Sequence, residues 1–243
     1  VKFKGGKLPS SIGGLIHLRF LSLYKAGVSH LPSTMRNLKL LLYLNLSVAI
    51  GEPVHVPNVL KEMIELRNLF LPWLMHDKAK LDLGDLVNLE ELGFFSTQHS
   101  SVTDLLRMTK LGSLSVSLSE RCTFETLSTS LRQLRNLKTL YVGELDLDFI
   151  HLKELGLTVR MSKIPDQHQF PPHLEHISLF DCRIEEDPMP ILERLLHLKS
   201  VKLRYDAFVG RRMVCSKGGF PQLRALEIYK QSELEEWIVE EGS

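Results

Sequence analysis

One recurring hexad, L-x-x-L-x-L, constrains this chain more than any other feature. It reads Leu18, Leu21, Leu23 and then Leu41, Leu44, Leu46, inside two segments that align throughout at a shift of 23 residues. Leu8-Pro9-Ser10-Ser11-Ile12 leads into the first copy and Leu31-Pro32-Ser33-Thr34-Met35 into the second. Further copies are Leu66, Leu69, Leu71; Leu89, Leu92, Phe94; Leu111, Leu114, Val116; and Leu137, Leu140, Val142. The last four are Leu152, Leu155, Leu157; Leu174, Ile177, Leu179; Leu198, Val201, Leu203; and Leu223, Leu226, Ile228. Ten copies start at steps of 23, 25, 23, 22, 26, 15, 22, 24 and 25 residues. The step of 15, from Leu137 to Leu152, marks a shortened or distorted repeat. Inside the hexad, L-x-L alternates with period two, so both leucines point to one side of a short strand and the residues between them to the other.

Hydrophobes three and six residues upstream (Leu15 and Ile12, Leu38 and Met35, Leu134 and Leu131, Leu195 and Leu192) line a return segment of helical turns. One unit cannot bury these side chains alone, whereas stacked units hide them between neighbours. The expected fold is α/β: a leucine-rich-repeat solenoid, an irregular horseshoe of about ten repeats. A parallel β-sheet lines its concave face, and short helical turns and loops form its convex face. It is read as one domain over residues 1–243, a fragment with further repeats or caps expected outside both ends. Regular arrays place Asn three residues after the hexad, but here those positions include Ala26, Ala49, Cys182, Asp206 and Gln231, so irregular turns are expected.

Composition narrows the class. Hydrophobic content of 44% and charged content of 24% are ordinary for a folded chain and argue against disorder. Net charge is +1, yet the first 51 residues carry seven Lys or Arg and no acid, while Gln231 to Ser243 carries five acids and no Lys or Arg. Such a gradient biases which end meets an acidic or a basic partner. Cys122, Cys182 and Cys215 are odd in number and widely spaced, which fits thiols in a reducing compartment better than a disulfide framework. No apolar run approaches the roughly 20 residues of a membrane span.

Chemistry-bearing constellations are few. His173-x-x-His176 has no Cys or acid at ligand spacing, so no metal site is expected. Glu185, Glu186 and Asp187 read as a solvated loop after a strand. No Cys/His dyad and no G-x-x-x-x-G-K-[ST] phosphate loop is present, so neither catalysis nor a cofactor is expected of this fragment. Seven basic charges over two repeats make no continuous groove, so nucleic acid is not an expected partner.

The better candidates are the strand residues between the leucines, expected on the concave side. They give an early cluster (Phe20, Tyr24, Tyr43, Phe70, Trp73, Phe95), a central Tyr141, and a late cluster (Phe180, Lys199, Lys202, Arg204, Tyr205, Tyr229). Exposed aromatics beside basic residues are enriched at protein-binding hot spots. The alternative is that they pack on one another and simply cover the sheet.

The element Leu8-Pro9-x-x-Ile12-Gly13-x-Leu15-x-x-Leu18-Arg19-x-Leu21-x-Leu23 resembles repeats of plant intracellular nucleotide-binding leucine-rich-repeat immune receptors. Gly219-Phe220-Pro221-Gln222-Leu223, followed by Leu234-Glu235-Glu236-Trp237-Ile238-Val239-Glu240-Glu241-Gly242, resembles the penultimate repeats of their coiled-coil class. Met161-Ser162-Lys163-Ile164-Pro165 and Pro171-Pro172-His173-Leu174 resemble the crucifer downy-mildew and virus resistance subgroup. The resemblance implies a coiled-coil domain and an ADP-binding switch domain elsewhere in a longer parent. It implies a ligand-sensing and autoinhibitory role for these repeats, with a pathogen effector or guarded host protein as partner. It also implies intramolecular docking on the parent's own nucleotide-binding domain, for which Arg19, Lys25, Arg36 and Lys39 are the candidates; a solvated basic surface is the alternative. The location implied is cytoplasmic, with room for plasma-membrane association of the full-length receptor. Two other readings remain open from the residues alone: substrate-recognition repeats of a ubiquitin-ligase adaptor, and a cell-surface receptor ectodomain. Only one glycosylation sequon, Asn45-Leu46-Ser47, favours the latter.

Overall fold

The computed structural model describes residues 4–49, 51–117, 130–131, 133–142, 151–158 and 160–242. Cys122 lies outside the described residues. The chain forms two compact units, residues 1–137 and 138–243.

In the first unit five short parallel strands pair in chain order: β1 (Phe20–Ser22), β2 (Tyr43–Asn45), β3 (Asn68–Phe70), β4 (Glu91–Ser96) and β5 (Ser113–Ser117). Hexad leucines meet in register, Leu21 opposite Leu44 and Leu44 opposite Leu69. Leu44, Leu46, Leu69 and Leu92 are fully buried, each contributing roughly 1.5–3 kcal/mol before chain entropy is subtracted. The return segments are mostly single 3-10 turns. Pro9 and Pro32 hold an extended backbone just before the turns Ser10–Gly14 and Ser33–Asn37, where a missing N–H costs nothing. Met35 and Leu38 close the core from that side. One return segment is a short α-helix, α1 (Val102–Leu105), capped by the Ser101 hydroxyl, which accepts from the Thr103 N–H.

β4 departs from the expected register. The reading Leu92-x-Phe94 places Phe94 inside and Phe95 outside, but Phe95 is fully buried and Phe94 half-exposed. Pairing with β5 jumps between Leu92 and Phe95, so Gly93 and Phe94 together face one residue of the neighbour. The extra residue reverses the parity of everything after it. Phe94 takes a left-handed backbone, φ 59°, to make the bulge. Gly93 permits the arrangement because the Phe70 ring lies where a Cβ would stand.

In the second unit β6 (Thr139–Val142), β7 (Glu154–Leu157), β8 (His176–Phe180) and β9 (Ser200–Arg204) pair in parallel and in chain order, and β11 (Ala225–Tyr229) joins β9. The shortened repeat keeps register, with Leu140 opposite Leu155. β10 (Arg212–Cys215) and β12 (Glu236–Val239) form a separate two-stranded parallel sheet that the hexad pattern does not mark. Short helix α2 (Met189–Leu192) is preceded by Asp187, whose carboxylate accepts from the Met189 and Val214 N–H groups. Asp187 is therefore not a solvated loop residue. It ties α2 to β10, and burial pushes its carboxyl group above the usual range.

The turns after the hexads are irregular, as their missing asparagines imply. Cys182 substitutes directly: its thiol donates to the carbonyls of Leu157 and Phe180. Gln231 accepts from the Phe208 N–H and donates to the Tyr229 carbonyl. Ala26 has no side-chain donor, and its turn rests on backbone bonds from Ala26 N–H to Leu23 and from Ala49 N–H to Ala26.

Candidate partner-binding surface

The sheet's outward face in the first unit is an aromatic strip. Phe20 and Tyr43 stack with centroids 4.3 Å apart and planes 11° from parallel, and Phe70 continues the row 5.8 Å from Tyr43. Strand register makes the row, because Phe20, Tyr43 and Asn68 are opposite one another and Phe70 sits two residues on. The Phe70 ring then fills the space left by the missing Cβ of Gly93. Tyr24 stands apart, 59% exposed, under the Lys25 ammonium at 5.1 Å. Trp73, 70% exposed, meets Phe94 edge-on at 5.3 Å rather than Phe95, which the bulge has turned inward. Phe95 is thus a core residue and leaves the candidate surface, and Phe94 takes its place. A Gly-Phe-Phe run one repeat after an outward-facing Phe is the sequence signal for this exchange.

The four basic docking candidates do not share one side. Arg19 and Lys25 flank β1, both exposed. Arg36 lies on the 3-10 turn Ser33–Asn37, where its Nε donates to the Ser33 carbonyl. Lys39 lies in the turn that enters β2. The first two are strand-side and the last two belong to the return path.

In the second unit the strands carry ion pairs. The Tyr141 ring occupies the space a Cβ on Gly156 would need, the same use of a missing Cβ as Phe70 at Gly93, and its hydroxyl donates to Glu154 at 2.6 Å. Burial first, and the Glu154 carboxylate second, push the Tyr141 phenol well up. At the strand entries Glu175 takes both Lys153, at 2.8 Å, and Lys199, at 2.6 Å. Those two hydrogen bonds hold its carboxyl down at about 2. Arg204 of β9 grips Glu227 of β11 with two 2.7 Å bonds, keeping Glu227 below and Arg204 above their usual ranges. Lys199 and Arg204 are therefore already engaged within the molecule. Lys202, half-buried on β9, stands opposite Glu227 in register and adds to the field that holds that carboxyl down.

At the strand exits Phe180, Tyr205 and Tyr229 form a second aromatic row, 4.7 and 5.3 Å apart, each more than 40% exposed. Asp181, Tyr205, Asp206 and Lys230 all have left-handed backbones, φ 49–54°. Non-glycine residues held there cost on the order of 1–3 kcal/mol each and persist only where neighbours over-determine them. Here Tyr205 and Asp206 N–H groups bond to the Tyr229 and Lys230 carbonyls, and the Asp206 carboxylate accepts from the Ser232 N–H and hydroxyl. The row lines a cleft of about 580 Å³.

Other candidate chemistry disperses. His173 meets His197 at 5.5 Å with the rings tilted by 47°, while His176 sits within β8. Among the described residues no group of three or more His, Cys, Asp or Glu is placed to hold a metal ion. Among the same residues no helix is long and apolar enough to cross a membrane.

Comparison with known proteins follows the same lines. The family model for a leucine-rich repeat region matches residues 4–242. Two Arabidopsis thaliana proteins, "Disease resistance RPP8-like protein 3" and "Disease resistance protein RPP8", are each 75% identical to this chain over its full length. The chain spans only 28% of the length of each. Among solved structures, an internalin from Listeria monocytogenes superposes with a TM-score of 0.55 over 95% of this chain and 70% of its own; at 16% identity this is a likeness of fold alone.

Proposed function

The chain belongs to the leucine-rich-repeat family, and from that premise we propose that it is the ligand-sensing and autoinhibitory repeat region of an intracellular plant immune receptor. It acts by protein–protein contact in the cytoplasm, and its partner is a pathogen effector or a guarded host protein. The observation that carries this reading is the exit edge of β8, β9 and β11. There, three large aromatic side chains are exposed in mutual contact on a strained, hydrogen-bonded backbone. Rigid, exposed aromatics are the side chains that dominate binding energy at protein interfaces. The names of the similar Arabidopsis proteins, which are disease resistance proteins, support the immune role.

The segment itself carries neither catalysis nor a cofactor in this proposal. ADP or ATP belongs to a nucleotide-binding domain elsewhere in the longer protein, and Arg19, Lys25, Arg36 and Lys39 restrain that domain at rest. Because they lie on two sides of the first repeats, Arg19 and Lys25 form one contact and Arg36 and Lys39 another. Recognition shifts the resting equilibrium only through contacts that differ between the two states.

The test uses the full-length receptor in leaf tissue. Phe180→Ala, Tyr205→Ala and Tyr229→Ala together should abolish ligand-triggered cell death while the protein accumulates normally; retained cell death refutes the surface. Charge reversal of Arg19, Lys25 and Arg36 should raise ligand-free cell death, and unchanged resting activity counts against the dock.

A further inference from the structure

We propose that the cleft at the exit edge of β8, β9 and β11 takes an acidic segment of a protein partner, a carboxylate beside an apolar side chain, with Lys230 as its anchoring cation. This rests on the reading of that edge as a partner surface and adds the chemistry of what it accepts.

The argument is one of charge left over. The Lys230 ammonium sits 4.9 Å from the Tyr205 ring centroid and 5.3 Å from that of Tyr229. Two ring faces place a cation without using its three N–H donors. No carboxylate among the described residues pairs with it, although two acids line the same cleft. Both acids are engaged elsewhere. Asp181 pairs with Arg160 at 3.6 Å and Arg183 at 3.4 Å. Asp206 accepts at 2.8 and 2.7 Å from the Ser232 N–H and hydroxyl, which hold its carboxyl below the usual range. On the neighbouring strands Glu227 is gripped by Arg204 and also faces Lys202 of β9 in register, so one acid there serves two cations. Five cations at this edge (Arg160, Arg183, Lys202, Arg204 and Lys230) stand against three acids (Asp181, Asp206 and Glu227), so the spare charge is positive.

A partner cation would find the tyrosine faces already taken by Lys230. A partner carboxylate would receive charge-assisted hydrogen bonds from an ammonium whose position is already set. An apolar side chain beside that carboxylate would rest on the exposed Phe180 and Tyr205 rings. The left-handed corners at Asp181, Tyr205 and Lys230 hold these groups at successive strand exits, so the cleft is formed before anything binds.

The test is fluorescence anisotropy of the purified 243-residue chain with labelled random copolymers. A glutamate–tyrosine copolymer should bind, and a lysine–tyrosine copolymer should bind more weakly or not at all. Lys230→Met should weaken binding of the acidic copolymer about five- to tenfold, Lys230→Arg should keep it within about twofold, and Tyr205→Ala should weaken it about fivefold or more. Ile64→Ala, an exposed apolar side chain on the first unit's return path, should leave it unchanged. Lys230 is a surface residue, so Lys230→Met should fold; an unchanged melting temperature checks this. No binding of the acidic copolymer, tighter binding of the basic one, or indifference to Lys230→Met overturns the proposal. Indifference to Lys230→Met together with loss of cell death in the triple aromatic receptor would refute the acidic chemistry and leave the partner surface standing. The reverse pair of results would refute the surface's role in recognition and leave the chemistry standing.

Discussion

The two units share a backbone frame and differ in what the frame displays. In residues 4–137 the outward face of the strands is uncharged at its aromatic row: Phe20, Tyr43 and Phe70 stand among polar Ser22, Asn45 and Asn68 with no ion pair inside the row. Of the ion pairs of that unit, Lys61–Asp82 and Arg107–Asp85 lie along the return path, and a longer Arg67–Glu90 pair, at 3.6 Å, sits at the strand entries. In residues 138–242 charges enter the strands themselves, with Arg204–Glu227 across β9 and β11 and the Lys153–Glu175–Lys199 ladder at the strand entries. The aromatic row there moves to the strand exits, at Phe180, Tyr205 and Tyr229. The buried leucines set register in both units, so the displayed positions are free to carry either chemistry. One frame thus offers one strip indifferent to salt and one that responds to it.

The largest expected effect breaks the frame on which both strips stand. Phe95→Ala should cost about 3–5 kcal/mol of unfolding free energy, because a fully buried ring leaves a cavity. Phe94→Ala, one residue away but half-exposed, should cost less than about 1.5 kcal/mol, chiefly its edge contact with Trp73. Denaturant titration of the two variants decides it, and equal losses would mean the bulge is wrong. Next come the two glycines under rings. Gly93→Ala and Gly156→Ala should each cost about 1–3 kcal/mol, since the new methyl must displace Phe70 or Tyr141. The second should also bring the Tyr141 phenol pKa down, because it parts the hydroxyl from Glu154 and from its buried setting.

Smaller effects separate the strips by their charges. Arg204→Ala should destabilise by no more than about 1 kcal/mol, as befits a partly exposed pair, and that loss should shrink in high salt. Phe20→Ala should show no such salt dependence. Glu175, whose carboxyl is held at about 2, should stabilise the fold most fully above its ordinary pKa near 4.5. That contribution is lost as pH falls from there through about 2, so wild type and Glu175→Gln should converge in melting temperature over that interval. A gap that stays constant to pH 2 would remove Glu175 from the account.

Much of the frame is legible in the sequence because its cause is local and periodic. Each of the ten hexads falls on a parallel strand, including the pair separated by only 15 residues. Sequence periodicity fails where the cause is a contact with another repeat. At Gly93-Phe94-Phe95 either aromatic fits the hexad, and the ring of Phe70 from the preceding repeat decides between them. β10 and β12 escaped because each is four residues long with no leucine pair, although buried Met213 and Cys215 alternate with half-exposed Val214. Of the site, the aromatic residues were readable and their partners were not. Lys230 falls just past β11, outside the hexad's alternation, and only the turn places it over Tyr205 and Tyr229. Lys199 and Arg204 look like free cations in the sequence, yet Glu175 and Glu227, one repeat away each, take them up.

Hydroxyl-radical footprinting of the chain, read residue by residue, tests most directly which side chains the coil displays. Trp73, Phe180, Tyr205 and Tyr229 should oxidise readily, and Phe95 and Phe208 should be strongly protected. Oxidation of Phe95 at the rate of Phe180, or protection of the Phe180–Tyr205–Tyr229 row in the unbound protein, would contradict the assignment of inside and outside from which the partner surface follows.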